Sequence, residues 1–187
     1  MSYFTFTLTD QTVLAVLNRI ARSFTPARMR PAMKEIGEEL AESTRRRFAT
    51  ASGPDGAPWK PLKPGTVLAR YRKMMTGFDA NKGNRKKDGS LSKRGAEKAL
   101  RNAQAAKRPL IATGELSRGI RYQVTDGGAG VEIGTNRTFG NGIGAEVHQF
   151  GTRDGRIPAR PFLGLSPKDK TMVLDILNEL LNDAAHP

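Results

Sequence analysis

His148 is the imidazole best placed for chemistry; the second histidine, His186, stands next to last in the 187 residues. Glu146 and His148 are two apart, which on a strand puts both on one face as a metal pair, with Asp154 as the nearest third ligand. A metal site needs three or four convergent ligands, so the pattern favours a histidine hydrogen-bonded to a neighbouring turn. Ser90-Leu91-Ser92-Lys93 has the S-x-x-K spacing of serine acyl enzymes. It lies in a basic stretch with no apolar pocket to depress the lysine pKa. Gly140, Gly142 and Gly144 do not make G-x-G-x-x-G, and they neither follow a strand nor open a helix. No paired carboxylates stand out for acid–base work. The chain has no cysteine, which excludes thiolate metal sites, iron–sulfur clusters, cysteine nucleophiles and a disulfide framework. The expectation is a protein that is not an enzyme and takes no cofactor.

Charge is the second chemical signal. Lys and Arg number 31 against 18 Asp and Glu, a net charge of +13. Between Asp79 and Leu110 ten cations face three acids, +7 of that total. Lys82, Arg85, Lys86, Lys87, Lys93 and Arg94 are therefore the candidate polyanion contacts, able to neutralise phosphates in a salt-dependent way. No aromatic side chain interleaves with them between Asp79 and Arg108, so a stacking platform for single strands is missing. No recognition helix or zinc-finger signature accompanies them. A basic, non-specific nucleic-acid-binding accessory protein is the alternative reading they support. A solvated arm is the plainer one.

These residues must be held by a folded body. Hydrophobic residues make up 37% and glycines number 20, enough for a real core. The chain is expected to be a single domain over 1–187, with 77–108 as a basic flexible insertion where hydrophobic periodicity lapses; AEKALRNAQAAK within it has the composition of a solvated helix. No apolar run approaches the ~18–20 residues that cross a bilayer. MSYFTFTLTD carries neither a basic flank nor an apolar h-region, so no secretory signal or membrane partner is expected. Alternation at Phe4, Phe6 and Leu8 predicts a strand over 3–8, and Asp10 caps a helix running to Arg22. Met33, Ile36, Leu40, Thr44 and Phe48 predict a helix over 31–50; its early glutamates and late Arg45, Arg46 and Arg47 suit the helix dipole. Trp59 should pin the Pro/Gly-rich loop 52–66 onto the core. A helix over 64–75 follows, with Val67, Leu68, Tyr71 and Met75 inward. A hairpin over 120–126 and 130–135 comes next, then a glycine-rich loop over 136–144 and a segment over 145–150 that reads as helix or strand. An edge strand is predicted over 157–165, limited by its prolines. Ser166-Pro167-Lys168-Asp169 opens a last helix running to Asn182. The fold class is α+β: a small antiparallel β-sheet packed by three to four α-helices, with the basic arm.

Several separated motifs then carry a resemblance. Pro54-Asp55-Gly56-x-x-Trp59-x-Pro61-Leu62, Leu110-x-x-Thr113-Gly114-x-Leu116-x-x-x-Ile120, Ile133-Gly134-Thr135-Asn136, His148-Gln149-Phe150-Gly151 and Ile157-Pro158-Ala159-Arg160-Pro161-Phe162-Leu163-Gly164 occur in that order. Together they resemble the phage virion morphogenesis (tail-completion) family of Mu-like and P2-like phages. The basic stretch is a departure from that pattern. The resemblance implies a structural protein of the head–tail neck, assembled in the host cytoplasm and acting in tail completion or termination and head-to-tail joining. It also implies a homo-oligomeric ring, often six-fold, beside neck, connector and tail-tube proteins. Non-specific contact with packaged DNA is an expectation from the basic stretch, not from the resemblance. Trp59, His148, Gln149, Phe150 and Phe162 are then fold or interface residues, and no catalytic or metal residue is implied. Arg160 between two prolines presents a guanidinium fork suited to a bidentate carboxylate partner.

Overall fold

The computed structural model describes residues 15, 18, 22, 24–79, 81–138 and 144–185. The strand expected over 3–8, most of the helix expected after Asp10 and the centre of the glycine-rich loop lie outside them. Among the described residues six α-helices and one two-stranded antiparallel sheet make an α+β fold. The helices are α1 (Pro26–Thr50), α2 (Pro64–Asp79), α3 (Lys93–Lys107), α4 (Glu115–Arg118), α5 (Glu146–Phe150) and α6 (Pro167–Ala185); the strands are β1 (Arg121–Thr125) and β2 (Gly130–Gly134). The number of helices exceeds the expected three or four because short turns such as α4 and α5 are helical. The chain forms two compact units: 1–43 with 121–134 and 165–187, and 44–120 with 135–164.

The first unit is built on the helix stripe that the sequence displays. Ala32, Met33, Ile36 and Leu40 of α1 bury against Ile176 of α6, with Val124, Val131 and Ile133 of the hairpin packed on them. α1 starts at Pro26 rather than at Pro31. The carbonyl of Thr25 accepts from Arg28 and Met29 at 3.0 Å each, so the first turn closes without Pro31, which removes one interior bond. The hairpin pairs Tyr122 with Ile133 and Val124 with Val131. Gly37 is where the Tyr122 ring lies on the helix; a Cβ there would run into the ring. The Tyr122 hydroxyl donates to Glu38 at 2.9 Å. α6 opens as expected: Asp169 N donates to Ser166 Oγ at 3.1 Å and Ser166 N to Asp169 Oδ2 at 2.8 Å, a reciprocal cap. Ser43 Oγ donates to the other Asp169 oxygen at 2.6 Å, which satisfies this buried carboxylate.

In the second unit α2 packs against α3, joined by a single 3-10 turn over Lys82–Asn84. α2 runs on to Asp79, bringing Phe78 into a position that is 1% exposed. Within 77–108, Gly95 and Ala106 of α3 are buried, and Asn84 donates to Phe78 O at 2.8 Å. α3 begins three residues before AEKALRNAQAAK because Ser92 caps it, its hydroxyl accepting from Gly95 N at 3.0 Å. Leu68, expected inward, is 48% exposed.

Candidate functional site

Three segments far apart in sequence meet in the second unit. The Trp59 ring is 6% exposed and meets Phe48 edge-on at 5.4 Å, while Phe48 tilts against Phe162 at 5.4 Å. The indole N–H donates to Pro161 O at 2.7 Å, the partner a buried tryptophan needs. Arg160, 4% exposed, donates from Nε to Lys60 O at 2.7 Å and from Nη2 to Pro61 O at 3.1 Å. Its fork thus grips two backbone carbonyls of the Trp59 loop rather than a carboxylate. Arg47 adds a bond to Phe162 O at 2.8 Å. In sequence it stood in a run of three arginines that the helix dipole already explained, so nothing there singled it out.

Residues 157–165 form no strand, which corrects the expectation. Pro158 and Pro161 lack ladder donors, and several of the remaining backbone groups are met by His148 and Gln149. Arg160 N donates to His148 O at 2.8 Å. The Gln149 side chain then takes the place of a neighbouring strand: its Oε1 accepts from Phe162 N at 2.9 Å and Leu163 N at 3.0 Å, and its Nε2 donates to Leu163 O at 3.0 Å. Gly151, at φ 78°, passes so close that a Cβ would sit 2.8 Å from Ala159 N. The motifs around Trp59, His148–Gly151 and Arg160–Gly164 therefore form one clasp.

Beside the clasp lies a cavity of about 310 Å³ lined by Leu62, Arg70, Thr113, Glu115, His148 and Arg160 among others. Burial, then the charges of Arg160 and Arg70, hold the His148 imidazole below its ordinary value. Burial, then Arg70, also lowers Arg160. His148 sits in helix α5, where residues two apart point to different sides, so Glu146 and His148 do not make the metal pair that a strand would give. Asp154 instead pairs with Arg156 at 3.0 Å. Among the described residues no group of three His, Cys, Asp or Glu could hold a metal ion. Phe150 is 77% exposed, so it is no core residue.

The basic candidates lie elsewhere in the same unit. Lys86, Lys87, Lys93 and Arg94 are exposed. Arg85 donates to Gly89 O at 3.0 Å within the turn ahead of α3. Lys93 and Arg94 occupy the first turn of α3. The side chain of Lys82 is outside the described residues. Ser90, of the S-x-x-K spacing, donates to Asp88 at 2.6 Å, while Lys93 stands exposed at the helix start.

Comparison with known proteins bears on what the clasp belongs to. Residues 8–88 and 88–182 match the phage virion morphogenesis family. The Mu-like prophage FluMu G protein 2 of Haemophilus influenzae is 36% identical over 76 residues, covering 38% of this chain and 50% of that protein. The chain thus spans about half the length of that curated relative. No solved structure matches. No helix among the described residues is long and apolar enough to cross a membrane. Matched over residues 8–88 and 88–182, the chain belongs to the phage virion morphogenesis family.

Proposed function

We propose that this virion morphogenesis protein is a structural component of the head–tail neck. It completes or terminates the tail and joins it to the head as a homo-oligomeric ring, most simply a hexamer. It works beside neck, connector and tail-tube proteins and has no catalytic role. The observation that supports this most is the use made of the motif residues. Trp59, Gln149, Arg160 and Phe162 are spent on the clasp, whereas Phe150 in the same motif is 77% exposed. A large apolar side chain held out on a rigid support suits a protein interface. The test is disruption of the gene in its phage or prophage, followed by negative-stain microscopy of the lysate. Full heads beside unattached tails, or tails of aberrant length, are the expected result; normal particles would overturn the reading.

A second reading, non-specific nucleic-acid binding, is favoured by one observation. Residues 60–108 hold fifteen Lys and Arg against Asp79, Asp88 and Glu97, so +12 of the +13 lies there. In a neck protein the same charge faces packaged DNA. As an independent activity it would give the lone protomer steep, salt-sensitive duplex binding.

A further inference from the structure

An open apolar groove of about 490 Å³ runs between the start of α2, the loop before it and the end of α3. Pro61, Leu62, Val67, Leu68, Tyr71 and Ala103 are among its lining, and Lys107 stands in its wall. Leu68 is 48% exposed, and Leu100, one helical turn before Ala103 and Gln104 on α3, is 62% exposed. Lys60 and Lys63 flank Pro61 and Leu62 in the chain, and both are exposed. The groove is thus apolar inside and cationic at its border. Such a surface fits an amphipathic helix that carries an apolar knob and carboxylates.

One such helix is visible in the molecule. The inner face of α6 is spent on the first unit's core, with Met172, Val173, Ile176, Leu177 and Leu180 buried or half-buried there. Its outer face bears Leu174, 59% exposed, beside Asp175, Glu179 and Asp183, which recur every four residues on one side. No Lys or Arg occurs between Thr171 and Ala185. None of the three acids is ion-paired with another described residue. We infer that α6 of one copy docks in the groove of a second copy, Leu174 entering between α2 and α3 while the acidic stripe meets Lys60, Lys63 and Lys107. Duplex DNA would answer the lysines but leave the apolar groove uncovered. Because the two patches differ, the contact is head-to-tail, the kind that closes into a ring when the rotation per copy is right. The inference rests on the proposal that the chain works as an assembly of its own copies.

The chain lacks cysteine, so introduced thiols report on the contact without interference. Leu68→Cys in one preparation and tagged Leu174→Cys in another are mixed and oxidised. The mixed disulfide dimer is expected several-fold faster than either homodimer, and more slowly at high salt. Asp175→Lys/Glu179→Lys/Asp183→Lys in the second protein should slow it about tenfold or more. Lys60→Glu/Lys63→Glu/Lys107→Glu in the first should restore it. All these positions are exposed, and circular dichroism checks that each variant is folded. Mixed dimers no faster than homodimers overturn the inference, as does a reversal that the compensating change fails to rescue. So does saturable duplex binding lost in the lysine variant without any mixed cross-link. If sedimentation still shows multi-copy assembly in those cases, the surfaces are wrong and the assembly reading stands. A protein that stays monomeric at every concentration removes both.

Discussion

Gln149 shows how one side chain can replace an element. Its amide serves two backbone donors and one backbone acceptor of residues 162–163. Gln149→Leu keeps most of the volume and leaves those three groups unmet in a half-buried place. The expected cost is about 2–3 kcal/mol, read from urea unfolding. His148 supplies a pH dependence. Its folded-state value is depressed by burial, Arg160 and Arg70, while the unfolded value stays near about 6.5. Between the two values the unfolded chain holds more protons, so stability falls as pH drops through about 6.5 toward the depressed value. The melting temperature should decline between about pH 7 and 5 by an increment that His148→Gln lacks; equal declines would remove His148 as the cause. Neither role was legible in the sequence. The partners of Gln149 lie 13 and 14 residues away with no shared periodicity, and those of Arg160 lie about a hundred away. The family resemblance picked out the residues but not what they bond to.

Elements were legible where local chemistry sufficed to specify them. The hairpin followed from strict alternation, and α6 from the Ser166–Asp169 cap, because both signals act within a few residues. The expected strand over 157–165 failed because hydrophobic spacing says nothing about whether a partner strand exists. α5 was ambiguous since five residues complete little more than one turn. Glycines separate two cases of the same substitution. Gly65, near the start of α2, has nothing within reach of an added Cβ, so Gly65→Ala should stabilise by about 0.5–1 kcal/mol. Gly95 in α3 abuts the carbonyl of Asn84, a backbone group that cannot turn aside. Gly95→Ala should therefore destabilise by about 1–3 kcal/mol despite better helix propensity. Thermal denaturation of both variants checks the opposite signs. The two cations in the first turn of α3 oppose its dipole, so Lys93→Glu should raise the melting temperature, worth about 0.3–1 kcal/mol.

For the molecule as a whole, charge is partitioned rather than spread. Outside residues 60–108 the chain is close to neutral, with sixteen cations against fifteen acids. The sequence displayed this imbalance openly, and both helices with it; what it hid was that α2 runs on to Asp79 and that Phe78, Gly95 and Ala106 of the stretch are buried. Contact with nucleic acid should therefore depend on that part of the surface. Lys86→Glu/Lys87→Glu is expected to weaken duplex binding at every sequence alike and to lower the salt slope by about 2. An unchanged slope would show that these lysines touch no phosphate.

The clasp also sets a timetable. Lys60 leaves the ribosome 100 residues before the Arg160 that secures its carbonyl. At about 5–20 residues per second that interval is roughly 5–20 s, during which Trp59 and Phe48 lack the ring of Phe162. Half-made chains therefore display an unfinished aromatic surface, and only a chain translated past Gly164 can close it. Products truncated before Arg160 lack the residues that close the clasp.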